Sequence, residues 1–226
     1  NTAPGQRLTM VIDLRRCIGC RACAVSCKAE HNVPLGHFRS YVSQVETVRG
    51  LAVKRHFLPR LCNHCEHPPC AKVCPVGATY RREDGVVAVR KDRCIGCRYC
   101  TVACPYGARC FQWHRVASGD GLDWPSRTYG VVDKCDLCLH RIENGVEPAC
   151  VNTCPANARV FGDMADPNSE VSRLIAEGVV MPLAPELGTK PSVSYVNLDY
   201  EVSHASLDAG SKLDVVQVDR QTSVET

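Results

Sequence analysis

Aromatic side chains are scarce, at 6% of 226 residues with two Trp and four Phe. Large rings are therefore not available to fill a wide apolar core, and something other than ring packing must organise the chain. No stretch reaches eighteen apolar residues, which excludes a membrane-spanning helix in this sequence. No Ser-His-Asp set, phosphate-binding glycine loop or pair of catalytic carboxylates stands out, so the chain itself is expected to catalyse nothing.

Cysteine is what the chain has in excess. Sixteen of its seventeen fall into four runs: Cys17-Cys20-Cys23-Cys27, Cys62-Cys65-Cys70-Cys74, Cys94-Cys97-Cys100-Cys104 and Cys135-Cys138-Cys150-Cys154. The first and third have the spacing C-x2-C-x2-C-x3-C of bacterial ferredoxins. Three thiolates within seven residues wrap one corner of a compact inorganic core, and the fourth points away toward the other cluster of a pair. Two runs must then pack face to face and trade their last cysteines, so four runs imply two pairs and up to four clusters of the 4Fe-4S type. Tetrahedral zinc prefers two cysteine pairs separated by a longer loop and leaves thiols surplus here. A disulfide framework fits the odd count and this chain length worse still. Ligation deprotonates the thiols, so the formal charge of +3 falls to about -5 when sixteen thiolates surround four cores of about +2 each. That balance gives no support to a nucleic-acid partner. With so thin an apolar core, the chain is expected to be largely unfolded without iron.

An internal repeat appears when the runs are aligned. Asp13 to Cys27 reads DLRRCIGCRACAVSC, and Lys91 to Cys104 reads KDRCIGCRYCTVAC. Three runs end in the tails Cys74-Pro75-Val76-Gly77-Ala78, Cys104-Pro105-Tyr106-Gly107-Ala108 and Cys154-Pro155-Ala156-Asn157-Ala158. Proline ends any helix there, and Gly or Asn accepts positive φ, so each tail predicts a sharp turn away from the cluster. In the first run Lys28 replaces the proline, so its helix can continue toward Glu30. Strands are predicted at 8–12, 86–89 and 131–132, feeding ligand loops, and across 41–48. Helical turns are predicted at 22–29 and 99–103, and a helix over 169–177, capped by Asn168 and stopped by Gly178. The tail beyond Val202 is polar and reads as an extended arm against a partner.

These stretches, VIDLRRCIGCRACAVSC, LPRLCNHCEHPPCAKVCPVGATYRREDG, KDRCIGCRYCTVACPYGAR and DKCDLCLHRIENGVEPACVNTCPANARVFGDMADPNSEV, resemble the four-cluster electron-transfer B subunits of the complex iron-sulfur molybdoenzyme (DMSO reductase) family, in particular those of tetrathionate and polysulfide reductases. The resemblance implies an α+β fold of two pseudo-symmetric ferredoxin-like modules, each holding two 4Fe-4S clusters, with peripheral loops and a C-terminal extension. The first module would comprise residues 1–61 and 130–162, the second 62–108, with 109–129 a connecting loop and 163–226 a C-terminal helix and tail. It also implies the ligand sets: Cys17, Cys20 and Cys23 with Cys154; Cys135, Cys138 and Cys150 with Cys27; Cys62, Cys65 and Cys70 with Cys104; and Cys94, Cys97 and Cys100 with Cys74. Some relatives carry Trp at the place of Cys97 and hold a 3Fe-4S cluster; the cysteine here implies four cubanes.

The expected function is conduction of single electrons between a molybdopterin catalytic subunit and a quinone-reactive membrane anchor subunit. The chain would be held at the membrane through its partner, on the periplasmic side, with the cytoplasmic side open. Two alternatives stand beside it: a freestanding polyferredoxin or hydrogenase- or formate-linked carrier, and a zinc-stapled interaction protein. This sequence departs from the formate dehydrogenase members of the family in lacking a C-terminal membrane helix. Its connection from Cys104 to Cys135, with Cys110, Trp113, His114 and Trp124, is longer than in tetrathionate-type relatives and suits a partner contact or a satellite apolar cluster. Cys110 reads as a small buried hydrophobe. His64 and His67 read as donors behind the ligands or as loop residues. Arg15, Arg16, Arg21, Arg90, Lys91, Arg93 and Arg98 crowd the first and third runs, where positive charge either raises a cluster's potential or is simply solvated.

Overall fold

The computed structural model describes residues 5–49, 51–113, 129–208 and 215–219. In chain order the elements are β1 (Leu8–Asp13), α1 (Ala22–Glu30), β2 (Tyr41–Arg49), β3 (Ala52–Arg60), α2 (Pro69–Lys72), β4 (Thr79–Arg81), β5 (Val87–Val89), α3 (Tyr99–Val102), β6 (Cys110–Phe111), β7 (Val132–Asp133), α4 (Leu139–Ile142), α5 (Ala149–Asn152), β8 (Arg159–Asp163), α6 (Glu170–Ala176), β9 (Val180–Pro182), β10 (Ser194–Val196), α7 (Tyr200–Asp208) and β11 (Val215–Asp219). Most are short, because a ligand loop or a Cys-Pro turn interrupts the chain every few residues.

The apolar LTMVID segment makes β1 buried along its whole length. It is central in the sheet β8-β1-β10-β9, antiparallel to β8 and parallel to β10. Strands β4 and β5 form one hairpin and β6 and β7 another antiparallel pair. In both, the strand leaving one ligand run pairs with the strand entering the next. The predicted strand at 41–48 is β2; its antiparallel partner β3 carries Lys54, Arg55 and Pro59 and has no apolar alternation to betray it.

Three apolar clusters lie in the interior of the described residues, and two of them contain cysteines. The larger gathers Met10, Ile12, Leu58, Leu61, Val86, Leu183 and Tyr195 with Cys23, Cys62, Cys65, Cys135 and Cys150. The smaller consists of Cys70, Cys94 and Cys100 with Ala78, Val87, Val131 and Val132. The segment before β10 is pinned to the second ligand run: the amides of Glu66 and His67 donate to the carbonyls of Lys190 and Thr189 at 2.8 and 3.0 Å. Tyr195 adds its hydroxyl to the Pro59 carbonyl at 2.9 Å.

Two expectations are corrected. The cap of α6 is Ser169, whose hydroxyl accepts from the Ser172 amide at 3.2 Å, so the helix starts one residue later than an Asn168 cap would set it. The chain beyond Val202 is not an extended arm throughout: α7 continues to Asp208, and β11 pairs in parallel with β2. The polar composition of this tail hides a helix whose Val202 is fully buried in the main core. His114 and Trp124 lie outside the described residues, as does most of the 109–129 connection.

Candidate functional site

In each cysteine run the residue just before the second cysteine has positive φ: Gly19 at 70°, His64 at 45°, Gly96 at 72° and Leu137 at 58°. This bend curls the CxxC loop so that its sulfurs face inward. Arg21 and Arg98, each following a second cysteine, are also left-handed and start α1 and α3. The predicted turns after the Cys-Pro pairs are present, with Gly77, Gly107 and Asn157 at φ of 62°, 57° and 46°. These turns aim amides back at sulfur: Ala78 N–H donates to Cys74 Sγ at 3.2 Å and Ala158 N–H to Cys154 Sγ at 3.3 Å. Although partial burial opposes it, donation from Thr79, Val76, Ala78 and Gly77 pulls the Cys74 thiol below its ordinary value.

The cysteines gather across runs. Cys17, Cys20 and Cys23 line one cavity together with Cys154. Cys62, Cys65 and Cys70 line another together with Cys104. Cys27 lies within electrostatic reach of Cys150 and Cys138, and Cys135 within reach of Cys27 and Cys150. Cys94 and Cys100 share the smaller core with Cys74 packed against it, and Cys97 is exposed on the same loop. Among the described residues no three His, Cys, Asp or Glu side chains crowd together as a single ion's ligands would.

The donor chemistry fits a sulfur-rich polynuclear core. Burial pushes the Cys65 and Cys138 thiols up to about 12, and a cationic core beside them would favour their thiolates. Asn63 and Arg109 line the Cys62–Cys104 cavity. Both amide atoms of Asn63 and the Nη2 of Arg109 are buried without a hydrogen-bond partner among the described residues. Of these atoms the two nitrogens, Asn63 Nδ2 and Arg109 Nη2, are donors that suit a group whose surface is made of acceptor sulfur.

Several side chains near the sulfurs were not evident from the sequence. Arg159, 3% exposed, sends Nη2 to Cys23 Sγ at 3.4 Å and Nη1 to Cys150 Sγ at 3.6 Å. His31 Nε2 is 3.2 Å from Cys138 Sγ. Burial, then the Arg39 charge, pushes this imidazole down to about 4, which favours the neutral ring. Arg39 itself forks onto Asp133 with two bonds of 2.7 Å. The shared Ala-Arg ending of CPYGAR and CPANAR is the signal in the sequence that marks Arg109 and Arg159.

By contrast the flagged Arg15, Arg16, Arg21, Arg90, Arg93 and Arg98 are exposed. Arg15 pairs with Asp13 at 2.8 Å, Arg90 covers the Tyr80 ring, and Arg98 covers Phe111 and Trp113. Lys91 turns inward to Asp133 at 3.4 Å. His64 is buried and its Nδ1 accepts from the Val87 amide at 3.1 Å, tying β5 to the second ligand loop, while His67 is exposed. Cys110 is buried with its thiol near the Asp133 carbonyl. Lys28, standing where proline was expected, donates to the carbonyls of Pro34 and His37 at 2.8 and 2.6 Å and folds the chain back beneath α1.

Two glycines separate strain from clash. A Cβ on Gly96 would overlap the Gly130 carbonyl oxygen, whereas one on Gly107 meets nothing within 4 Å. Both have positive φ, so each Ala variant carries a backbone cost of about 1–3 kcal/mol. Gly96→Ala should add displacement of a ligand loop and lose iron on gentle warming. Gly107→Ala should retain a full complement, and equal iron loss from the two would refute this account.

The chain matches models of the 4Fe-4S dicluster domain over residues 53–120 and 122–164, and over 16–78. It is 46% identical over 201 residues to the B subunit of tetrathionate reductase from Salmonella typhimurium, covering 87% of this chain and 75% of that one. Identity to the B subunit of selenate reductase from Mesobacillus selenatarsenatis is 45% over 206 residues, 83% of this chain and 70% of the relative. The arsenate respiratory reductase iron-sulfur subunit of a Shewanella species is 39% identical over 225 residues, 84% of this chain and 96% of the relative.

Proposed function

The chain belongs to the 4Fe-4S dicluster family of iron-sulfur B subunits of reductases, and from that premise we propose that it is the electron-transfer subunit of a respiratory oxidoreductase. It carries four 4Fe-4S clusters. When bound, such clusters supply one-electron chemistry within a span of about -700 to +450 mV. What the chain contributes is the spacing, the sheath and the local charge.

The sixteen cysteines divide as the resemblance implies: Cys17, Cys20, Cys23 and Cys154; Cys27, Cys135, Cys138 and Cys150; Cys62, Cys65, Cys70 and Cys104; Cys74, Cys94, Cys97 and Cys100. The observation that carries this reading is that three cysteines of one run and the last cysteine of another line one cavity, twice over. Residues 1–61 with 130–162, and 62–108, are then two pseudo-symmetric ferredoxin-like modules. The first and third runs each expose one cysteine, Cys20 and Cys97, with apolar Ile18 and Ile95 beside them. In the sets of Cys135 and Cys62 every cysteine is buried except the half-buried Cys104. This graded burial favours a line with the Cys20 and Cys97 sites at its ends, each offering an apolar rim to a partner.

Those partners are a molybdopterin catalytic subunit and a quinone-reactive membrane subunit, with the chain on the periplasmic side. No helix among the described residues is long and apolar enough to cross a membrane, so any membrane attachment in this reading runs through a partner. Anaerobic purification followed by iron, zinc and acid-labile sulfide analysis tests the assignment. Sixteen irons and sixteen sulfides per chain, the content of four cubanes, with magnetically coupled EPR after dithionite reduction are expected. A 3Fe-4S signal near one spin per chain, or zinc without sulfide, would overturn it.

A further inference from the structure

Arg109 and Arg159 occupy the same place in two repeats, fifth after the last cysteine of the third and fourth runs. Both are buried, at 4% and 3% exposure. Arg159 donates to Cys23 and Cys150, the third cysteine of the first and of the fourth run, at 3.4 and 3.6 Å. Ser40 Oγ at 3.0 Å and Met10 Sδ at 3.7 Å complete its surroundings. Arg109 lies beside Cys70 and Cys100, the third cysteine of the second and of the third run. Its Nη1 donates to Thr79 Oγ1 at 3.1 Å, and Thr79 holds the corresponding fifth position after Cys74.

Each arginine therefore stands between the two ligand sets of one half. We propose that Arg159 and Arg109 are potential-setting residues, each shared by the two clusters of its own half, so that one fixed positive charge raises both potentials together. The inference rests on the ligand sets given above. A positive charge and N–H donors beside a sulfur ligand favour the more negative, reduced state. Because guanidinium is planar with several donors and keeps its charge, it can serve two sulfurs at once, which a lysine point charge cannot. The tails after Cys27 and Cys74 carry Asn32 and Thr79 at the fifth position, so each half has a single such arginine.

The test is a dye-mediated redox titration of the full holo chain, followed by EPR, for Arg159→Gln, Arg159→Lys, Arg109→Gln and Arg109→Lys. Iron and sulfide content is measured alongside. Arg159→Gln should lower two of the four potentials by about tenfold or more in the reduced-to-oxidised ratio, about 59 mV for one electron. Arg109→Gln should lower the other two. Each Lys variant should shift the same two clusters as its Gln partner by a smaller amount, and it carries the test if the Gln variant loses iron. Unchanged potentials, one cluster moving alone, or the same clusters moving in both families would overturn the proposal. A wild-type chain without sixteen irons would instead refute the ligand sets.

Discussion

Anaerobic chelation of iron is expected to unfold the chain, with loss of most far-ultraviolet circular dichroism and of any cooperative melt. The expectation follows from what the interior is made of. In the smaller core the cysteines Cys70, Cys94 and Cys100 sit with only Ala78, Val87, Val131 and Val132 as buried apolar companions. These residues are too small to close over the cavity that a departing cluster would leave. Helices α2, α3, α4 and α5 are four residues long, far below the length at which a helix stands alone in water. Each carries or follows ligand cysteines, so the metal closes the loops whose closure otherwise costs chain entropy. Iron-free chain that keeps a native spectrum and a sharp thermal transition would show that the apolar core alone suffices.

The outcome bears on how much of this molecule could be read from its sequence. The ligand runs were legible because cubane chemistry fixes cysteine spacing to within a residue, and the tails were legible because Cys-Pro followed by Gly or Asn leaves the backbone few choices. Strands β1, β2 and β5 declared themselves by β-branched, apolar segments. Strand β3 did not, since Lys54, Arg55 and His56 give its outer half no apolar face, and only pairing with β2 makes it a strand. Likewise β10 is a strand because β1 offers it an edge. Which cations matter was also illegible. Surface arginines beside the cysteines in sequence turn outward, while Arg39 from the loop before β2, and Arg109 and Arg159 five residues after a last cysteine, are buried. Sequence proximity to a ligand predicted charge around the clusters less well than the repeated position after the Cys-Pro turn.

Breaking the Arg39 contact should produce the largest loss among single substitutions away from the cysteines. Arg39 and Asp133 are both buried, joined by two bonds of 2.7 Å, and Asp136 adds a third at 3.3 Å. Burial works against the Asp133 charge, yet Arg39, with Lys91 beside it, holds the carboxyl well below the usual range. Removing one member of a buried pair leaves the other charge uncompensated, at a cost of about 3–5 kcal/mol.

The two partners are not equivalent. Asp133→Asn leaves Arg39 with Asp136, whereas Arg39→Met leaves Asp133 leaning on Lys91 at 3.4 Å and strips Asp136 of its nearest cation. Arg39→Met should therefore reach the upper end of that range, lowering the temperature at which visible absorbance bleaches by about 10 °C or more in a chain this size, and Asp133→Asn should lower it less. The double variant should lose less than the sum of the two, because the second change removes a charge that the first had stranded. Strict additivity would mean that the pair contributes through packing alone. Since this pair joins the loop before β2 to the strand that enters the fourth cysteine run, the same variants should release iron faster to a chelator in the order of their melting temperatures.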